Sequence, residues 1–163
     1  QEAMCQFLEC TPAPKGAPFD FSRGSRRFEF KHSSLLRQHP ADVEKGKRKQ
    51  AEFCWQWQNL FGHSGAKIFD FIILEGEWHK GTSRYFMFSY EDFVRFFGRR
   101  HVLACTASQN RKTPGKTQKV LLDHEYSKND LKQSVLGLTK EGAEFADGPR
   151  CTAQFRMGVV LAG

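Results

Sequence analysis

The chain has no CxxC pair and no Cys/His spacing of the zinc-binding kind, and its five cysteines, Cys5, Cys10, Cys54, Cys105 and Cys151, are scattered and odd in number. That pattern argues against a disulfide framework and a zinc module, and reads as reduced, mostly buried thiols in a cytoplasmic protein. No apolar run approaches the ~20 residues that span a bilayer. The longest, residues 68–74, is interrupted by Asp70, so no membrane partner is expected. A secretory signal is missing as well, and the first residue, Gln1, reads as a trimmed or incomplete start. There is no internal repeat and no low-complexity tract.

What the chain does have is size, aromatic residues and positive charge. At 163 residues it is long enough for a single domain with a real core, and sixteen phenylalanines set it apart from a disordered tail. Lys and Arg number 25 against 18 Asp and Glu, a formal charge of +7. Such a balance favours an anionic partner, nucleic acid above all, although a merely basic protein carries the same charge. Two runs concentrate the excess. Residues 32–50 hold Arg37, Lys45, Lys47, Arg48 and Lys49, which read either as a solvated loop or as a phosphate-contacting surface. Residues 99–119 hold Arg99, Arg100, Arg111, Lys112, Lys116 and Lys119 with no acidic residue among them.

Apolar positions at helical spacing predict a helix over 2–9, and Pro12, Pro14, Gly16 and Pro18 break it and make the next stretch a loop. Residues 19–31 read as a hairpin around the small-residue turn 22–25. Alternation predicts a half-buried strand over 51–59, with Phe53, Trp55 and Trp57 on one face. Further strands are expected at 67–75, 83–88 and 101–107, with short ones at 120–122 and 152–161. Ser89, with Asp92 three residues on, predicts a helix through Phe97 closed by Gly98. Ser127 and Asp130 predict another from about Lys128 to Leu136, ending at Gly137.

The stretch that carries chemistry is Phe28–Glu29–Phe30–Lys31. On a strand, Phe28 and Phe30 face one side and Glu29 and Lys31 the other, about 6.6 Å apart along the chain. If the hairpin forms, Asp20 returns beside Glu29. Two carboxylates and a lysine converging on one point make a metal-dependent hydrolytic site, whereas the plain alternative is a surface ion pair worth about 0–1 kcal/mol. A second Asp-x-Lys, Asp130 and Lys132, falls in a helix, where residues two apart do not share a face. Asp70 and Glu75 are oddly spaced and face opposite ways on one strand, so Asp70 reads as a satisfied polar group. His63, His79, His101 and His124 have no metal-ligand spacing and read mostly as surface or loop residues. Trp55 and Trp57 read as core before base-stacking platforms.

Asp20, Glu29 and Lys31, with Pro18 before them and Ser33–Ser34 after, resemble the PD-(D/E)xK nuclease superfamily, the restriction-endonuclease-like fold. Phe19 stands between Pro18 and Asp20, a small departure from the motif. The predicted element order over roughly 2–97 is similar to that family's, leaving 98–163 as a basic C-terminal extension of the same domain. The resemblance implies an α/β fold with a central mixed β-sheet flanked by helices. It implies Asp20, Glu29 and Lys31 as catalytic residues and a Mg²⁺ or Mn²⁺ ion held by Asp20, Glu29 and the Phe30 carbonyl. Such an ion prefers oxygen ligands and neutralises the phosphodiester, while Lys31 holds the attacking water or stabilises the developing charge. It further implies an accessory acid from the first helix, Glu2 or Glu9, and an accessory glutamine, Gln56 or Gln58.

The expectation is a metal-dependent endonuclease acting on DNA, with the basic runs tracking the backbone. A double-strand cutter with one site per chain would act as a homodimer. The alternatives are a catalytically inactive nucleic-acid-binding module of the same fold, and a partner-binding protein whose charge is incidental.

Overall fold

Residues 1–38, 52–107 and 115–141 are described by the computed structural model. In chain order the elements are α1 (Glu2–Phe7), β1 (Thr11–Pro12), β2 (Phe21–Arg23), β3 (Arg26–Ser33), β4 (Leu36–Gln38), β5 (Glu52–Trp57), β6 (Phe71–Glu77), a 3₁₀ turn (His79–Gly81), β7 (Ser83–Ser89), α2 (Tyr90–Phe97), β8 (Leu103–Thr106), α3 (Lys116–Asp123), β9 (Glu125–Tyr126) and α4 (Lys128–Leu138).

The predicted hairpin forms. Gly24 takes φ 57°, a left-handed conformation that suits glycine, and β2 returns antiparallel along β3 with Phe21 opposite Phe28. β1 adds an edge strand beyond β2, in the stretch expected to be loop. An edge position tolerates Pro12 because its missing N–H need not serve a ladder. On its other side β3 pairs in parallel with β6, which runs antiparallel to β7, and β7 to β9. The result is a six-stranded mixed sheet in the order β1-β2-β3-β6-β7-β9, beside a three-stranded antiparallel sheet, β4-β5-β8. The molecule is therefore α/β with a mixed central sheet flanked by helices.

Each face of the central sheet has its own core. On one face Phe28, Phe30, Phe71 and Ile73 pack with Met4 and Leu8 around α1 and with Leu131 and Val135 of α4. On the other, Ile72, Leu74, Phe86 and Phe88 pack with Trp55 and Trp57 of the small sheet and Phe93 and Phe97 of α2. Among the described residues past 98, β8 pairs with β5, β9 pairs with β7, and α4 packs on the central sheet.

Both predicted N-caps are present: Ser89 Oγ accepts from the Asp92 N–H and Ser127 Oγ from the Asp130 N–H, each at 3.1 Å. Gly98 closes α2 at φ 70°. Three further expectations are corrected. Residues 120–122 are helix α3, not strand, and burial falls on Gln118 and Leu121, three apart as on a helix face. Helix α4 runs through Gly137 to Leu138, because Leu131, Val135 and Leu138 are all buried and the Thr139 hydroxyl bonds the Val135 carbonyl at 2.7 Å. β6 starts at Phe71 rather than 67, the preceding residues being held by single bonds such as Ile68 N–H to the Pro18 carbonyl at 2.8 Å. The strand expected at 152–161 lies outside the described residues.

The small sheet is pinned to the central one through its tryptophans. The Trp55 and Trp57 indole N–H groups donate to the Glu77 and Glu75 carbonyls at 2.8 and 2.9 Å. Gly76, between those carbonyls, lies flat under the Trp55 ring, where a Cβ would come within 2.5 Å. Gly76→Ala should therefore cost about 1–3 kcal/mol by overpacking. Urea unfolding would measure it, and an unchanged midpoint would contradict this seating of the small sheet.

Candidate functional site

Strand alternation places the predicted residues as expected and surrounds them differently. Phe28 and Phe30 enter the core under α1 and α4. Glu29 and Lys31 take the opposite face, beside Ile72 and Leu74 of β6. That face is not an open polar surface: Glu29 is 0 % exposed, and Lys31 is half-buried.

The hairpin brings Asp20 to Glu29. The Asp20 N–H donates to the Phe28 carbonyl at 2.9 Å, and Asp20 Oδ2 accepts from the Phe30 N–H at 2.8 Å. The Asp20 and Glu29 carboxyl groups are neighbours, both lying within 4 Å of one ammonium. On a strand the N–H and C=O of one residue point to the same edge, so the Phe30 carbonyl lies on the Asp20 side of β3.

A third group, missed by the sequence reading, completes the cluster. Lys67 Nζ lies 3.2 Å from Glu29 Oε2, 3.4 Å from Oε1 and 3.7 Å from Asp20 Oδ1. It comes from the loop between β5 and β6. Arg27 fixes one end of that loop, its backbone N–H and guanidinium both meeting the Asp70 carboxylate at 2.8–3.3 Å. Arg99 braces the middle, donating to the Gly65 carbonyl at 2.9 Å with its guanidinium over the Phe61 ring. Gly62, at φ 72°, lies against the Lys67 stem, where a Cβ would be 3.2 Å from Lys67 Cγ. Nothing in the spacing marks Lys67, which is 38 residues from Glu29.

Burial is the main cause that pushes the Glu29 carboxyl up to about 8. The negative charge of Asp20 adds to it, and Lys31 and Lys67 oppose it. Lys31 makes no hydrogen bond or ion pair among the described residues, so its influence on Glu29 is through charge alone.

Two carboxylates and a backbone carbonyl are hard oxygen donors of the kind Mg²⁺ and Mn²⁺ take, with water filling the remaining positions. Glu29 Oε2 is buried, and the Lys67 ammonium 3.2 Å away is its cationic neighbour. The donor set thus fits such an ion, although no cluster of three or more His, Cys, Asp or Glu side chains able to hold a metal occurs among the described residues.

The accessory residues are not brought to the pair. Glu2 is exposed on α1, which packs on the opposite face of the sheet through Met4 and Cys5, and Glu9 is exposed and pairs with Lys132 at 3.8 Å. Gln56 and Gln58 are exposed, and the Gln56 N–H instead ties β5 to β3 through Ser33 Oγ at 2.8 Å. Among the basic residues, Arg99, Arg100 and Lys116 are exposed and Arg37 lies in β4. Lys45, Lys47, Arg48, Lys49, Arg111 and Lys112 fall outside the described residues. Asp70 is satisfied by Arg27, as expected, and Glu75 accepts from the Tyr85 hydroxyl at 3.3 Å. His63, His79 and His101 are exposed. His124 departs from the surface reading: it is buried, stacked on Phe88 at 4.2 Å, with Nδ1 2.7 Å from the Val120 carbonyl. Cys5, Cys54 and Cys105 are buried free thiols, and Cys10 is a half-buried one. No helix is long and apolar enough to cross a membrane among the described residues.

No family model matches the chain, and no curated protein and no solved structure matches it.

The raised Glu29 carboxyl has a measurable consequence in the metal-free protein. Between 4.5 and about 8 the folded state holds a proton that the unfolded chain has released, so this group makes stability fall as pH rises through that window. Glu29→Gln should flatten the loss of stability from about pH 5 to about pH 9. Urea titrations on both proteins measure it, and an equal loss in the variant would contradict a protonated, buried Glu29.

Proposed function

We propose that this chain is a divalent-metal-dependent nuclease of the PD-(D/E)xK type with a restriction-endonuclease-like fold, hydrolysing phosphodiester bonds in DNA. The observation that carries the reading is the convergence of Asp20 and Glu29 on a hairpin whose next residue on the same strand face is Lys31.

Asp20, Glu29 and the Phe30 carbonyl would hold a Mg²⁺ or Mn²⁺ ion. When bound, that ion supplies charge neutralisation at the phosphodiester and a more acidic water. The chain's own residues do the rest. The β2–β3 hairpin fixes Asp20 through two backbone contacts, so the carboxylates are oriented before substrate arrives. Lys31, with no protein partner to hold it among the described residues, presents its ammonium to the phosphate or to the attacking water. The exposed Lys116, and the guanidinium N–H groups that Arg99 and Arg100 do not give to the Gly65 and Phe97 carbonyls, are available to phosphates of the nucleic-acid backbone.

One observation favours the second reading, an inactive nucleic-acid-binding module: the Lys67 ammonium already sits against both carboxylates. Plasmid and single-stranded DNA incubated with Mg²⁺ or Mn²⁺ separate the two. The nuclease reading predicts cleavage that Lys31→Ala lowers about 10²–10³-fold while leaving the urea midpoint near that of wild type. Salt-sensitive DNA binding without cleavage would favour the inactive module. Neither binding nor cleavage would overturn both.

A further inference from the structure

We infer that Lys67 is the resident counter-ion of the Asp20–Glu29 pair, and that a divalent ion enters the site by exchange with its ammonium. This rests on the metal-site reading above and deepens it.

Two carboxyl groups held together out of water need a cation or a proton between them. Lys67 supplies the cation from the solvent side, its side chain being 23 % exposed against 12 % for Asp20 and 0 % for Glu29. Its three contacts, at 3.2, 3.4 and 3.7 Å, are longer than the ~2.7–2.9 Å of a tight charge-assisted bond. The ammonium is attracted to both carboxylates and locked to neither. It also stands on a loop rather than on the sheet, and its stem runs past Gly62, where no Cβ confines it. The side chain can therefore withdraw without disturbing β2 or β3.

Ion and ammonium compete for the same oxygens. A divalent ion at ~2.0–2.1 Å from them puts two positive charges where Nζ now has its partners. Like charges so close in a buried setting repel strongly, so the ammonium leaves as the ion arrives, and any proton held between the two carboxyl groups is released to solvent in the same step. The loop thus sets the metal affinity of a site built on the hairpin.

Mn²⁺ binding to the full chain, followed by electron paramagnetic resonance of the free ion, tests this without recourse to activity. Lys67→Met removes the competing charge and should bind Mn²⁺ about tenfold tighter or more than wild type. Lys67→Arg keeps the charge and should bind no tighter than wild type, and circular dichroism confirms that both variants are folded. If wild type binds Mn²⁺ and Lys67→Met binds it equally or more weakly, exchange is overturned and the metal site stands. If no variant binds Mn²⁺, the metal site falls and exchange falls with it.

Discussion

The parallel ladder between β3 and β6 sets the faces of the central sheet, and with them the surroundings of Glu29. Glu29 stands beside Ile72 and Lys31 beside Leu74, so side chains of one parity from both strands share one face. Parallel neighbours cannot be joined by a tight turn. The chain between them must cross over the sheet, and that crossing contains β4, β5 and the loop bearing Lys67. One constraint of topology therefore brings a tryptophan-rich sheet over Ile72 and Leu74 and a lysine over Glu29. A hairpin alone would have left Glu29 and Lys31 facing water.

Burial by that crossover turns an ordinary ion pair into a site with chemical tension. Ile72, a core residue, stands beside Glu29 in the ladder, and Glu29 is fully buried. In such surroundings a charge needs a partner or a proton. Glu29 answers with a raised proton affinity and an ammonium from Lys67. The same low polarity that makes the metal-free pair costly would strengthen its grip on a divalent ion. Asp70 and Arg27, at the end of the same loop, show the contrasting case: a bidentate pair that is partly exposed and fully satisfied, with no capacity left for chemistry.

The features readable from the residues were those that depend on near neighbours. The alternation of Phe28, Glu29, Phe30 and Lys31, the turn at Gly24, and the caps at Ser89 and Ser127 are local, and the structure has all of them. Local geometry also sufficed to set aside Asp130 with Lys132, and Asp70 with Glu75. The features that escaped depend on distant packing. Lys67 meets Glu29 only because the crossover folds back, and no short-range pattern records that. The three apolar residues 120–122 fit a strand or a helix equally, and only the burial of Gln118 with Leu121 decides it. His124 is buried because Phe88, far away in the chain, offers a ring to stack on. Glu2 stands apart from the pair because α1 buries Met4 and Cys5 on the sheet face opposite Glu29.

On the proposed reading, a divalent ion would take the place of the Lys67 ammonium between Asp20 and Glu29. Anomalous diffraction from a crystal soaked in Mn²⁺ tests this most directly. The predicted result is a single strong peak at about 2.0–2.3 Å from carboxylate oxygens of both residues, with the Lys67 side chain moved away. A crystal that shows no peak there, with Lys67 still seated against both carboxylates, would contradict it.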